Sequence, residues 1–192
     1  MLFLLRANLI LASLCLLHDQ SSAMVRPARP SAANLWHREH AVILDKSLRE
    51  LTGSALLPRP NASPAECSSL ADNQHLCVLS HGTEDDPIFN YATAAALDLF
   101  EYDWDAFVAM PSRLSAEAEE QAERAQLLEK VAKDGFIADY EGVRVTKTGR
   151  RFMIRDCVIW NLFTREDGNR PNEIERYCGK AAMFLVSDVE WL

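Results

Sequence analysis

GRRFMIRDCVIWNLF, residues 149–163, is the longest strand-like run in the sequence and the stretch that decides its fold. Thr148-Gly149 supplies a hairpin turn, because glycine takes positive φ without a Cβ penalty. Arg150-Arg151 then leads into the β-branched and aromatic residues that suit a pleated surface. Val143–Thr146 and Phe152–Phe163 are therefore expected to pair antiparallel. With a period of two, Phe152, Ile154, Asp156, Val158, Trp160 and Leu162 share one face. Met153, Arg155, Cys157, Ile159, Asn161 and Phe163 share the other. Beyond residue 157 both faces are mostly apolar, so each needs a cover.

Working outward, 192 residues make one domain plus appendages, and 48% hydrophobic with 25% charged residues is a globular composition. A net charge of −8 argues against a general nucleic-acid binder, which needs a basic surface. The one basic cluster, Arg144, Lys147, Arg150 and Arg151, reads as the solvated rim of the hairpin. Residues 1–23 form a separate leader: Leu2–Leu17 is largely apolar, and Ser21-Ser22-Ala23 resembles a cleavage site. Two readings stand: a targeting signal for the secretory pathway or a plastid-type organelle, with no membrane segment in the mature form, or cytoplasmic translation from Met24. Residues 24–33 are a flexible lead. Cys67, Cys77, Cys157 and Cys178 could pair in three ways in an oxidising compartment and are otherwise small apolar residues. Asn61-Ala62-Ser63 is a glycosylation sequon that matters only to a secreted chain.

Asn34 is expected to cap a helix over Leu35–Leu51, with Trp36, Ile43, Leu44, Leu48 and Leu51 on its apolar stripe and Gly53 beyond its end. Prolines 58, 60 and 64 make 53–66 a linker. Strands follow at His75–Ser80 and Ile88–Tyr91, then helices at Thr93–Phe100 and, capped by Asp103, Trp104–Met110. Ser115 is expected to cap a helix over Ala116–Lys133 that Gly135 ends. Its Ala118, Ala122, Ala125, Leu128 and Ala132 make a thin inward stripe. A meander of Phe136–Thr146, 152–163 and Tyr177–Val186 closes the chain, the last two joined by a polar connection containing Gly168 and Pro171. Strands flanking a helical insert predict an α+β domain with one antiparallel sheet.

The segments HLCVLSHG, DDPIFNYATAAALDLFEYDWDAFVAMPSRLSA, GFIADYEGVRVTKTGRRFMIRDCVIWNL and CGKAAMF, in that order, resemble the MEKHLA family, relatives of PAS domains. The resemblance covers about Leu35–Trp191 within a domain over 34–192. Neither the string that names the family nor a homeodomain or zipper is present, so the chain resembles the stand-alone form. The resemblance implies a PAS-like five-stranded antiparallel sheet with the helices of 93–133 on one face and the N-terminal helix flanking; that helix, Leu35–Leu51, or a second protomer would cover the other face. It also implies a non-enzymatic sensory or regulatory module that acts through a protein partner or as a homodimer, with or without a small non-covalent ligand.

A cavity between sheet and helices would be lined by Phe89, Tyr91, Phe100, Trp104, Phe107, Phe152, Ile154, Trp160 and Met183, with Asn161 and Asn90 as the nearest polar groups. Core packing of the same aromatics is the plainer alternative. Neither covalent flavin nor haem is expected, because residues 111–117 hold no cysteine and residues 92–135 no histidine. The interface is expected on the outer sheet face and first helix: Trp36, Leu44, Leu48, Cys157, Ile159 and Phe163. His37 and His40 are two nitrogens on one helix, short of a metal site. The alternative function is a small enzyme with acid/base groups at His81, Asp85 and Asp86, needing convergence with Tyr91 or Asn161.

Overall fold

The computed structural model describes residues 26–165 and 175–192. The leader with Cys15, the start at Met24, and Gly168 and Pro171 lie outside the described residues, as do the side chains of Ala118 and Ala122. Six strands make one antiparallel sheet: β1 (Leu76–His81), β2 (Phe89–Ala92), β3 (Phe136–Val145), β4 (Arg151–Arg165), β5 (Glu175–Leu185) and β6 (Val189–Trp191). Their order is β2-β1-β5-β4-β3, and the short β6 pairs with the start of β4. The expected five strands are present within two residues of their predicted limits. The sixth, at the very end of the chain, is an addition. Because β1 pairs with β5, the two ends of the domain meet in the centre of the sheet.

The decisive run does not alternate as a regular strand. Opposite β3, Ile154 pairs with Gly142, but the next pair is Cys157 with Tyr140, so β4 carries one extra residue there. Asp156 takes φ 50° inside this bulge, and Asp139 takes φ 56° at a matching one in β3. Aspartate tolerates the left-handed region better than most side chains. The bulge exchanges the two faces of the strand: Phe152 and Ile154 share their face with Cys157 and Ile159, and Val158, Trp160 and Leu162 turn to the other. The uninterrupted alternation expected from the sequence is corrected accordingly.

One face is covered by α3 (Ala94–Phe100) and α5 (Ala118–Asp134), with the short α4 (Trp104–Phe107) between them in sequence. Asp103 Oδ1 caps α4 by accepting from Ala106 N–H at 2.9 Å, as predicted. Ser115 does not cap α5. It ends a 3-10 turn, Ser112–Ser115, and its hydroxyl donates to the Ser112 carbonyl at 2.7 Å, while the helix starts after Glu117. The other face is covered by α1 (Arg38–Thr52), whose Ala41, Leu44 and Leu48 are fully buried. At roughly 1.5–3 kcal/mol per buried leucine, this helix is an integral part of the core.

Two N-terminal expectations are corrected. Leu35, Trp36 and His37 all take left-handed φ, so the chain makes a left-handed turn and α1 begins at Arg38 rather than Leu35. Residues 53–66 are not a free linker. Asp45, fully buried, accepts from Leu56 N–H and Leu57 N–H at 2.8 and 2.9 Å and pairs with Arg49 at 2.7 Å. The loop then enters α2 (Pro64–Ala71) through a capping box in which Glu66 accepts from Ser63 N–H at 2.6 Å. Ser-Pro-Ala-Glu is the sequence signature of that box.

Candidate functional site

Pairing across β1, β5 and β4 puts Leu79, Ala182 and Ile159 in a row, with His81 beside Lys180. With Phe89, Phe100, Leu128 and Phe184 these side chains wall a cavity of about 40 Å³ between the sheet and α3 and α5. At roughly 10–15 Å³ for each water it holds, that is room for about three or four water-sized groups. His81, Leu128 and Lys180 also line a surface groove of about 360 Å³, so they form the wall between cavity and solvent.

Of the residues predicted to line this space, Phe89, Phe100 and Ile154 do. Phe107 stacks behind Phe89 at 4.4 Å, and Phe152 stands edge-on to Phe100 at 5.1 Å, so these two back the wall. Tyr91, Trp160 and Met183 are on the opposite face, in register with Ser80, Ala181 and Val158 respectively. Trp104 sits at the edge, its indole N–H donating to the Pro27 carbonyl at 2.8 Å. Asn161 faces inward but is engaged at the end of α5, where Nδ2 donates to the Val131 carbonyl at 3.0 Å.

The predicted interface is corrected by the same geometry. Cys157 and Ile159 are cavity walls, not outer-face residues. Leu44 and Leu48 are fully buried by this chain's own sheet, and Trp36 packs against the core from the left-handed turn. Phe163 is half-buried, with its backbone N–H donating to Ser47 Oγ of α1 at 3.2 Å. The outer face is therefore covered by α1 along the second half of β4, while its Arg155 end, paired with Glu141 and Glu190, stays exposed.

Beneath α1 lies a polar cluster. His40 Nε2 is 2.8 Å from Ser80 Oγ, which donates to Asn90 Oδ1 at 2.6 Å. With its hydrogen given to Asn90, Ser80 accepts, so His40 carries its proton on Nε2. Burial, with a smaller push from His37, brings His40 down to about 4. Both imidazoles lie against Tyr91, at 5.4 Å for His40 and 6.5 Å for His37. The alternative acid/base trio does not assemble: His81 is buried with Nδ1 donating to the Gly82 carbonyl at 2.9 Å, whereas Asp85 is exposed and Asp86 pairs with Arg113 at the surface.

Cys77 pairs with Phe184 of β5, and Cys157 directly precedes Val158, which pairs with Met183 on the other side of β5. Two strand spacings, about 9–10 Å, exceed the roughly 7 Å Cα limit of a disulfide. That removes one of the three connectivities. Burial pushes both thiols up to about 12.

Arg144 is the residue the sequence reading misplaced most. It is not on a solvated rim: it is 7% exposed and lines the cavity. In register with Phe152, it faces inward. Nη1 donates to the Val143 carbonyl at 2.7 Å, Nη2 to the Tyr140 hydroxyl at 3.0 Å, and the guanidinium lies 5.3 Å from the Tyr140 ring centre. Gly142, between them on the same face, makes this possible, because a Cβ there would fall 2.1 Å from the Tyr140 hydroxyl oxygen. The alternation Tyr140-x-Gly142-x-Arg144 opposite an apolar strand was the available signal.

Residues 38–188 match the family model of the MEKHLA domain. No curated protein matches the chain. Among solved structures, the PAS domain of a protein from Colwellia psychrerythraea is 10% identical, covering 61% of this chain and 86% of that one with a TM-score of 0.46. A PAS domain of a two-component sensor histidine kinase is 14% identical over 65% of this chain and 91% of that one, TM-score 0.43. A Rhodobacter sphaeroides LOV protein is 13% identical over 60% of each chain, TM-score 0.43.

Proposed function

The chain belongs to the MEKHLA domain family, and from that premise we propose that it is a non-enzymatic sensor whose input is a small molecule held non-covalently in the cavity beneath its sheet. MEKHLA domains are PAS-related sensory domains. The observation that carries the reading is the cavity itself: it lies between the central strands and α3 and α5, and polar groups reach into its largely apolar wall. With α1 fastened over the opposite face, the cavity side is left as the place where a signal enters. The output passes to a regulatory partner or a second protomer. Leu185, Val186, Trp191 and Leu192, between 37% and 59% exposed at the C-terminal end, are the apolar surface we assign to that contact.

Native mass spectrometry of the purified protein tests the input. A retained small molecule, absent from the cavity-filling Ala182→Phe variant, is the expected result. Bare protein mass, together with no thermal shift across a panel of metabolite-sized compounds, overturns the reading.

A further inference from the structure

We propose that Asn61 carries an N-linked glycan, added in the secretory pathway before the chain folds, with residues 1–23 as the signal that brings it there; the glycan is independent of the ligand-sensor reading. Two sequence features have no part in a sensor. Leu2–Leu17 is a largely apolar run followed by polar His18-Asp19-Gln20, and Ser21 and Ala23 are the small residues behind which a signal is cleaved. Asn61-Ala62-Ser63 is an acceptor sequon whose middle residue is not proline. The thiols tolerate an oxidising lumen, because Cys67, Cys77 and Cys157 are fully buried.

The sequon lies ahead of α2, where Pro58, Arg59, Pro60 and Asn61 are all exposed and the last two form a turn. On either side the backbone is fixed. Leu56 and Leu57 N–H donate to Asp45, and the carbonyl of fully buried Ala62 accepts from Arg38 Nε at 2.7 Å. The Asn61 side chain is not among the groups that hold this loop, so a bulky substituent on it displaces nothing. The loop is fastened to α1, on the face of the sheet away from the cavity, and a glycan there leaves the cavity clear.

Glycosylation joins Asn61 Nδ2 to the anomeric carbon of an oligosaccharide carried on a polyprenyl diphosphate. The carbon–oxygen bond to the diphosphate breaks, the lipid diphosphate leaves with that electron pair, and Nδ2 gives up one proton, with no change of oxidation state. The sequon also requires the hydroxyl two residues on. In the folded chain that hydroxyl is spent: Ser63 Oγ donates to Glu66 Oε2 at 2.7 Å and accepts from Glu66 N–H at 3.4 Å. Capping of α2 therefore closes the sequon, and the fraction modified is set by a race between the transferase and the capping box.

The test expresses the full chain, with its own leader, in a eukaryotic secretory host and measures intact mass before and after peptide:N-glycosidase treatment. The expected product is cleaved after Ala23 and carries a glycan on part of the molecules, whose enzymatic removal leaves aspartate at position 61. The glycan should be absent from Asn61→Gln and from a chain started at Met24. The modified fraction should rise about twofold or more in Glu66→Ala, which deletes the capping box, and less in Glu66→Gln, which keeps its reach without its charge. A secreted chain bare at Asn61 overturns the site. A chain left in the cytosol with residues 1–23 attached overturns the role of the leader. A modified fraction unchanged in both Glu66 variants overturns the race with folding.

Discussion

Replacing His40 by glutamine should remove a defined part of the pH dependence of folding. In the folded protein, burial under α1 beside Ser80 and Tyr91 brings the imidazole down to about 4. In the unfolded chain it titrates near 6.5. The folded state therefore stays neutral while the unfolded state gains a proton as pH falls, so stability is complete above about pH 6.5 and declines towards pH 4. A difference of about 2.5 pH units at 1.36 kcal/mol each amounts to about 3 kcal/mol. With a urea m-value of about 2 kcal/mol/M, the midpoint should fall by about 1.5 M across that interval. Carboxylates also titrate, but Glu66 and Glu101, held at about 2 by their hydrogen bonds with Ser63 and Thr148, lose their contribution between about pH 4.5 and 2. Their window lies below that of His40. Urea unfolding at half-unit steps from pH 7.5 to 4.5 should show the steep decline in the natural protein and a markedly shallower one in His40→Gln. Parallel slopes for the two proteins would mean that His40 is solvated and that α1 does not seal the outer face.

Three further outcomes follow from named contacts. Asp45→Ala strands two buried backbone donors and frees Arg49, so it should cost about 3 kcal/mol in denaturant unfolding and expose the 53–62 loop to limited proteolysis. Gly179→Ala should be comparably damaging: φ is 129° there, and a Cβ would fall 2.0 Å from the His81 carbonyl oxygen, forcing β1 and β5 apart, with hydrogen exchange rising first along that pair. Of the four described cysteines, Cys178 should alkylate first at pH 8, because it is the only one not fully enclosed, while the thiols of Cys77 and Cys157 at about 12 are almost entirely protonated; peptide mapping that finds Cys157 modified early would contradict its place in the cavity wall.

Most of the sheet was legible because its strands carry strong local signals. The Thr148-Gly149 turn, the apolar runs of β1 and β4 and the Asp103 cap all specify structure within a few residues. What escaped depended on geometry that alternation does not encode. Nothing local announces that Asp156 takes a left-handed conformation, and that single residue reassigns Cys157 and Ile159 from the outer face to the cavity and Trp160 the other way. Arg144 was hidden for a related reason, since a cation near a hairpin is ordinarily solvated and only the tertiary position of β3 buries it. The left-handed turn at 35–37 overrode a sound helix pattern because Trp36 finds its packing outside the helix. By contrast α2 was readable from Ser63-Pro64-Ala65-Glu66, and the prolines around it masked the signal.

After its bulge, β4 works as a rocker. Ile159 rests on the cavity and Trp160, one peptide bond away, faces the side that α1 covers, so neither can be displaced without moving the backbone they share. A molecule that presses on Ile159 would tilt the seat of the helix opposite, and the signal would cross the sheet through its thickness, about one residue of travel, instead of along its length.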